Sequence, residues 1–226
     1  MKLLAIDTAT EACSAALHMD GQVQFEYKIA PREHANLILP MVQRLLANAS
    51  ISLNQLDVIA FGRGPGSFTG VRIAASVTQG LAFGVDVPVI PVSTLAAMAQ
   101  GIFVETNETR VLAAIDARIE EVYWGAYQLD KNNLMQLQGD ECVIAPDDVP
   151  IPQGEGWVGA GTGWESYQTL LQAKVGQCVK QLDAQCFPHA RDIVTLALPQ
   201  MAQGKAVPAE QAIPVYLRDK VAVKKA

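Results

Sequence analysis

The sequence predicts an α/β protein made of two related halves, each with a mixed sheet and covering helices. Two observations carry this prediction. Segments with the two-residue period of strands alternate along the chain with segments of helical period. The plan of the first half also starts again near residue 110, as expected for a duplicated lobe. We therefore expect an amino-terminal lobe over residues 1–105 and a carboxy-terminal lobe over residues 106–226.

The first half opens with three predicted strands. Residues 3–6 are apolar and end at Asp7, a small-residue segment follows over 12–17, and Asp20-Gly21 is typical of a hairpin turn. Apolar and polar residues then alternate over 23–29, which indicates a strand with one buried face. Helical and strand periods alternate after that. The remaining predicted elements are a helix over 33–48 with a kink at Pro40, a strand over 56–61, a glycine-rich loop over 62–67, a helix over 68–83, a strand over 88–92 and a helix over 95–103.

The second half repeats the beginning of the first. Residues 110–115 form another apolar segment that ends in an aspartate, Asp116, as residues 3–6 end at Asp7. The repeat is about 110 residues long, and it predicts a second three-stranded meander. Further elements are expected as a turn over 130–133, strands over 134–138 and 157–160, and helices over 163–174 and 190–203.

Composition and charge exclude several classes of protein. Half of the 226 residues are apolar and 18% are charged, which excludes an intrinsically disordered chain. No apolar run approaches the roughly 20 residues of a membrane helix. The net charge of −6 lacks the cationic excess of an autonomous nucleic-acid binder, so we expect a partner to supply most phosphate contacts. The four cysteines form no C-x-x-C pair, and we expect a reduced, cytoplasmic protein.

The glycine-rich loop carries the most specific motif. Residues 64–70 read Gly-Pro-Gly-Ser-Phe-Thr-Gly and are followed by an apolar residue and Arg72. This motif resembles the signature of the bacterial TsaB (YeaZ) family, although Val71 stands where leucine is more usual. Supporting matches are Ile-Asp-Thr at 6–8, Pro-Val-Ser-Thr-Leu at 91–95, Asp-Ala-Arg at 116–118 with Glu-Val-Tyr at 121–123, and Pro-Val-Tyr-Leu-Arg at 214–218.

The resemblance implies a fold and a function. The fold would be the duplicated, two-lobed actin-like (ASKHA, ribonuclease H-like) fold. The family implies a non-catalytic subunit that activates its paralogue TsaD in a complex with the ATPase TsaE. In that complex TsaD transfers the threonylcarbamoyl group from threonylcarbamoyl-AMP to N6 of the adenosine beside the anticodon, in tRNAs that read codons beginning with A. The chain would form a homodimer when TsaD is absent.

A phosphate site is a second possibility. In the actin-like superfamily the turn after the first strand of each lobe cradles nucleotide phosphate, and Asp7 and Asp116 occupy those places. Gly64, Gly66 and the predicted helix cap Ser67 would add backbone N–H groups, and ATP or ADP would be the ligand. The loop lacks a Walker lysine, and both features also have a structural explanation, since glycines permit sharp turns and aspartates cap them. The alternative function is a stand-alone ATP-dependent phosphotransferase with these residues in the cleft.

Metal and nucleophile chemistry find no support in the sequence. By resemblance, TsaD-like members hold a metal through two histidines four residues apart on a helix, whereas His18, His34 and His189 are scattered. No serine lies in a nucleophile elbow. We therefore expect no metallopeptidase site.

The apolar pattern of two predicted helices indicates a partner interface. The helices over 33–48 and 68–83 are apolar over more than the usual single stripe, so either another helix of the same lobe or a partner must cover the remainder. By resemblance, they form a four-helix bundle with their counterparts in TsaD or in a second copy. A charge at Ala74 or Val42 is expected to abolish pairing without unfolding the chain. The residues predicted for the interface are Leu37, Ile38, Met41, Val42, Leu45, Gly70, Ile73, Ala74, Val77 and Thr78. Lys220, Lys224 and Lys225 are candidates for RNA contact.

Overall fold

The fold contains two five-stranded sheets. A computed structural model describes residues 1–218. In the first sheet the order is β3-β2-β1-β4-β5. Its strands are β1 (Leu3–Asp7), β2 (Ala12–Met19), β3 (Gln22–Ile29), β4 (Val58–Gly62) and β5 (Val89–Val92), and helices α1 (His34–Asn48) and α2 (Phe68–Val85) lie on one face of it.

The second sheet has the same topology as the first. Its order is β10-β9-β6-β7-β8, so in both sheets the first strand lies between the second and the fourth. In each lobe the first three strands pair antiparallel and the fourth and fifth join in parallel. This repetition confirms the predicted duplicated α/β fold. The strands are β6 (Arg110–Arg118), β7 (Glu121–Leu129), β8 (Met135–Ile144), β9 (Trp157–Ala160) and β10 (Val179–Asp183).

Two helices lie between the sheets, and each covers the sheet of the other half. Helix α3 (Thr94–Thr106) packs on strands of the second sheet, whereas α6 (Ala190–Ala202) packs on β1, β2, β4 and β5 of the first. The two helices also contact each other. The predicted boundary after residue 105 therefore lies between the two sheets. However, α3 begins before the boundary and covers the second sheet, and α6 comes after it and covers the first.

The structure splits one predicted helix and adds one strand that the sequence did not predict. The helix expected over 163–174 is two helices, α4 (Thr162–Ser166) and α5 (Gln168–Val175), because Tyr167 between them is not helical, with φ −129° and ψ 28°. Its hydroxyl reaches Asp116 at 3.3 Å. Strand β10 was not predicted, since its residues are polar or only half-buried and lack a strand pattern. Sequence periodicity misses such edge strands.

The end of the described chain returns to the first lobe. Residues 207–218, which we call the strap, begin with an antiparallel bridge between Val207 and Val89. Ala209 and Ala212 of the strap are buried in the core cluster of the first lobe, where residues 209–211 pack against α2. Lys220, Lys224 and Lys225 lie outside the described residues.

A buried carboxylate ties the lobes together behind the cleft. Glu141 of β8 accepts hydrogen bonds from the hydroxyls of Ser93 and Tyr127, the latter at 2.5 Å. Its other oxygen pairs with Arg63 of the first lobe at 3.3 Å. Because Ser93 and Arg63 follow β5 and β4, this network fixes the loops of one lobe against a strand of the other.

Candidate partner-binding face and interlobe cleft

Most residues predicted for the interface lie in the core of the first lobe. The structure buries seven of the ten between the helices and the sheet. These are Ile38, Met41, Val42, Leu45, Gly70, Ala74 and Thr78. The core cluster with Leu4 of β1 and Ile59 of β4 contains five of them, namely Ile38, Met41, Val42, Leu45 and Ala74. As the structure stands, the seven residues lie inside the lobe and offer almost no surface to a partner.

The expected effect of a charge at Ala74 or Val42 is therefore wrong with respect to the fold. Ala74 is 0% exposed and Val42 is 2% exposed. A carboxylate placed at either position would lie in the apolar core without a partner, which is strongly destabilising. Loss of pairing in such a variant would report unfolding, so an interface test needs residues on the outer side of the helices.

The outer side of α1 and α2 carries the remaining three predicted residues. Leu37, Ile73 and Val77 are half-buried and pack against the edge of the core. Ile73 and Val77 are four residues apart and so share one flank of α2, which Leu81 continues. On α1, Leu39 is 42% exposed although it is a large apolar side chain. Both helices thus carry apolar residues that the lobe itself covers only in part.

A row of small exposed residues runs along α2 beside that flank. Ser76, Gly80 and Gly84 follow one another at spacing four, and all three are exposed. Apart from the chain neighbours and the backbone of α2 itself, no atom of residues 1–218 lies within 4 Å of a Cβ built on Gly80 or Gly84. Phe83, next to this row, is 80% exposed. The predicted interface residues Gly70, Ala74 and Thr78 form another row of small residues at the same spacing, and spacing alone does not tell which row faces the sheet.

The glycine-rich loop is packed tightly against the turn after β1. A Cβ on Gly66 would lie 2.4 Å from the carbonyl oxygen of Ala9, so no other residue fits there. The N–H of Ser67 donates to that same oxygen at 2.7 Å. This backbone donor is consequently not free to bind an anion. Gly64, with φ +97°, faces Val215 rather than the cleft.

Ser67 caps helix α2. Its hydroxyl oxygen accepts the N–H of Gly70 at 3.0 Å, which satisfies one of the free donors of the first turn. Ser67→Ala is expected to lower the free energy of unfolding by about 1 kcal/mol. Urea unfolding followed by circular dichroism measures this difference. Ser76→Ala, at an exposed helical position of α2, should cause no loss and is the matched control.

The two repeat-related aspartates have different environments. Asp7 is fully buried: one carboxylate oxygen accepts the N–H of Ala9 at 3.0 Å, and the other has no hydrogen-bond partner among the described residues. Burial raises the pKa of Asp7 to about 7. The unpartnered oxygen lies against Gly62, where a Cβ would come within 1.8 Å of it. Asp7 is therefore part of the lobe's interior.

Asp116 lies at the surface of the cleft. Its carboxylate accepts the N–H of Arg118 and pairs with the Arg118 guanidinium, both at 2.8 Å. The hydroxyls of Ser166 and Tyr167 also reach it at 3.3 Å. All of these contacts come from its own lobe, so Asp116 organises the turn after β6.

The cleft between the lobes is a cavity of about 800 Å³. Gly66, Ser67 and Asp116 line it, but Asp7 and Gly64 of the predicted phosphate site do not. The structure therefore brings three of the five predicted residues together. The cavity also has wall residues that belong to the quoted sequence motifs but were not predicted as site residues, namely Phe68, Arg72, Tyr123, Tyr216 and Arg218.

Two classes of site are absent from the described part of the chain. Within residues 1–218, no group of three or more His, Cys, Asp or Glu side chains could hold a metal ion. No helix among these residues has the length and hydropathy needed to cross a membrane.

Known proteins resemble this chain over nearly its full length. The family model described as TsaD: tRNA N6-adenosine threonylcarbamoyltransferase matches residues 26–226. The tRNA threonylcarbamoyladenosine biosynthesis protein TsaB of Escherichia coli is 48% identical, with 100% of this chain and 98% of that protein covered. The protein of the same name from Haemophilus influenzae is 40% identical, with 100% and 97% covered. The solved structure of YeaZ from Pseudomonas aeruginosa is 50% identical, covers 96% of this chain and 99% of its own, and superposes with a TM-score of 0.90.

These comparisons agree with the motif in the glycine-rich loop and with the repeated sheet topology. The full-length identities extend the agreement to the second lobe, where the sequence offered few motifs. The chain belongs to the TsaB (YeaZ) family of tRNA threonylcarbamoyladenosine biosynthesis proteins.

Proposed function

We propose that the chain is a non-catalytic scaffold that activates TsaD. In the complex of this chain with TsaD and TsaE, TsaD would transfer the threonylcarbamoyl group from threonylcarbamoyl-AMP to N6 of the tRNA adenosine beside the anticodon. The chain would contribute the outer side of α1 and α2, which holds or orders the catalytic paralogue. In the absence of TsaD, the same face would pair two copies of the chain.

The single observation that carries this proposal is the exposed row Ser76, Gly80 and Gly84 beside a flank of apolar residues. A glycine in the interior of an exposed helix costs about 1 kcal/mol relative to alanine, and nothing in the lobe's own packing needs a glycine at 80 or 84. Small residues in such a row allow the backbone of a second helix to approach closely. The row therefore suits helix-on-helix association.

The paralogue is the partner that this surface fits best. Two helices that present a shared apolar flank complete a four-helix bundle most simply with two equivalent helices from a related fold. TsaD is such a relative, because its family model matches most of this chain. A second copy of the chain offers the same pair of helices, which is why we expect a homodimer to compete.

The cleft supports an activating role better than a catalytic one. Asp7 is buried, and the N–H of Ser67 is occupied by Ala9. The phosphate-binding arrangement expected for an ATP-dependent phosphotransferase thus lacks one of its carboxylates and one of its donors. Of the two predicted carboxylates, only Asp116 lines the cleft, and we propose no bound ATP or ADP for the function of the chain.

The charge of the chain bears on how tRNA is bound. With a net charge of −6, the chain repels the phosphate backbone over long distances. We therefore propose that TsaD and TsaE supply most phosphate contacts, and that tRNA meets this chain only within the complex.

Reconstitution tests the proposal directly. Purified TsaD, TsaE, tRNA and threonylcarbamoyl-AMP are combined with and without this chain, and modified adenosine is quantified. We expect modification to depend on the chain. Equal rates with and without it would refute the activating role.

The variant Asp116→Asn tests, in the same assay, whether the chain acts as a scaffold or as a catalyst. If the chain is not catalytic, the variant should retain activation within about threefold, because an amide preserves the size of the side chain and the hydrogen bond from Arg118. A loss of at least 100-fold with an intact complex would favour chemistry in this cleft. ATP turnover by the isolated chain, lost in the variant, would support the phosphotransferase alternative.

A further inference from the structure

The strap is fastened along the first lobe by several contacts. The N–H of Val215 donates to the carbonyl oxygen of Arg63 at 2.8 Å. Beyond it, the hydroxyl oxygen of Tyr216 accepts a hydrogen bond from Arg72 of α2 at 2.9 Å. The guanidinium of Arg72 in turn lies 3.4 Å from the ring centre of Phe68. The strap is thereby stacked onto the first turns of α2.

The last described residue of the strap reaches the other lobe. Arg218 donates from Nε to the carboxylate of Glu121 at 3.0 Å and pairs with the same carboxylate through Nη2. Nη2 also donates to the carbonyl oxygen of Arg118 at 3.3 Å. Tyr216 and Arg218 both line the interlobe cavity. The strap thus crosses the mouth of the cleft and ends on the turn between β6 and β7.

That turn has an unusual backbone. Arg118, Ile119 and Glu120 have φ values of +62°, +55° and +58°, so three successive residues other than glycine are left-handed. Such turns are normally built from Asn and Gly, and a β-branched residue is poorly suited to this conformation. Ile119 is 76% exposed, so burial of its side chain does not compensate. Strained residues persist where surrounding contacts hold them in place.

The contacts that hold the turn come from two sides. Asp116 binds the N–H and the guanidinium of Arg118 from within the lobe. Arg218 binds the carbonyl oxygen of Arg118 and the carboxylate of Glu121 from the strap. Glu121 lies opposite Arg118 in the β6–β7 pairing, so Arg218 clamps both ends of the turn at once.

We propose that the strap is a latch across the cleft, which keeps the β6–β7 turn in its strained conformation and closes through Arg218. Release of Arg218 frees the end of the strap and lets the turn relax, which opens the mouth of the cleft. The lobes stay joined on release, since the hydrogen bond from Ser93 of the first lobe to Glu141 of the second involves no residue of the strap. The latch thus has a closed and an open arrangement, and the contacts of the Arg218 side chain decide between them.

Hydrogen exchange measured by mass spectrometry on the full chain tests the latch. In Arg218→Ala, we expect amides of residues 118–123 and 213–217 to exchange at least tenfold faster, while amides of β1 keep their wild-type rates. The control is Arg44→Ala, which breaks an ion pair with Glu26 inside the first lobe. Unchanged rates at 118–123 in Arg218→Ala would overturn the proposal. Equal acceleration at β1 would overturn it as well, because Arg218 would then act on global stability.

The variant Glu120→Gly tests the contribution of backbone strain in the β6–β7 turn. Glycine adopts positive φ without cost, so Glu120→Gly should raise the urea midpoint and slow exchange of the turn. In the Glu120→Gly background, Arg218→Ala should accelerate exchange at 118–123 at most threefold, because less strain remains to be released. If the tenfold acceleration persisted in that background, the strap would not be holding a strained turn.

Discussion

A Gly80→Arg variant of this chain is expected to lose its binding to TsaD while the free chain stays folded. Position 80 is exposed, and apart from the chain neighbours and the backbone of α2 itself, no atom of residues 1–218 lies within 4 Å of a Cβ placed there. Arginine also favours the helix by up to about 1 kcal/mol over glycine. The free chain should therefore be at least as stable as wild type. At a close helix contact, however, the long side chain and its charge would displace the partner helix.

We expect the affinity for TsaD to fall at least 100-fold, which corresponds to about 3 kcal/mol. Calorimetric titration of TsaD into the variant measures this, and urea unfolding verifies that the fold is intact. Ala173→Arg is the matched control, because Ala173 is also a small exposed residue on a helix, α5 of the second lobe. Wild-type affinity in Gly80→Arg would place the TsaD contact elsewhere on the chain.

Asp7→Asn is expected to change how the stability of the chain depends on pH. Burial raises the pKa of Asp7 from 3.8 to about 7, so between these values the folded chain holds a proton that the unfolded chain releases. The contribution of Asp7 to stability is thus fully present below about pH 4 and is lost as pH rises to about 7. Asparagine does not titrate, and the variant lacks this loss.

The difference in unfolding free energy between the variant and wild type should shift in favour of the variant by on the order of 4 kcal/mol from pH 4 to pH 7. Buried Asp192, with its pKa raised to about 6, acts in the same direction, and His189, with its pKa lowered to about 4, acts in the opposite one. Both are present in the two proteins and cancel in the comparison.

Urea titrations at four pH values measure the difference. Asp86→Asn, at the exposed end of α2, is the control. Parallel curves for wild type and Asp7→Asn would show that Asp7 does not carry this pH dependence.

Much of the fold could be predicted from local patterns. Alternation over 23–29 and the turn at Asp20-Gly21 predicted the β2–β3 hairpin, and the repeated apolar segment ending at Asp116 predicted the second sheet. The exchange of α3 and α6 between the sheets could not be predicted. Periodicity tells which face of a helix is apolar, but it does not tell which sheet that face covers.

The same limit applies to the candidate sites. The two small rows of α2, one with Gly70 and one with Gly80, have equal spacing, and only the packing of Gly70 beside the carbonyl oxygen of Thr8 shows which row faces inward. Asp7 and Asp116 also match in sequence, yet Asp7 is fully buried, whereas Asp116 is half-buried and lines the cleft. The strap reaches the cleft from residues far away along the chain, and its motif at 214–218 supported only the family resemblance.

Hydroxyl-radical footprinting of this chain with and without TsaD tests the central claim most directly, because it reports the side chains that a partner covers. The outer side of α1 and α2 carries two large exposed side chains, Leu39 at 42% and Phe83 at 80%. Phe25 and Ile151, exposed by 48% and 63% outside these helices, are internal controls. Our account predicts that TsaD lowers oxidation of Leu39 and Phe83 at least fivefold and leaves Phe25 and Ile151 unchanged. Protection of Phe25 or Ile151 with Leu39 and Phe83 still fully reactive would contradict it.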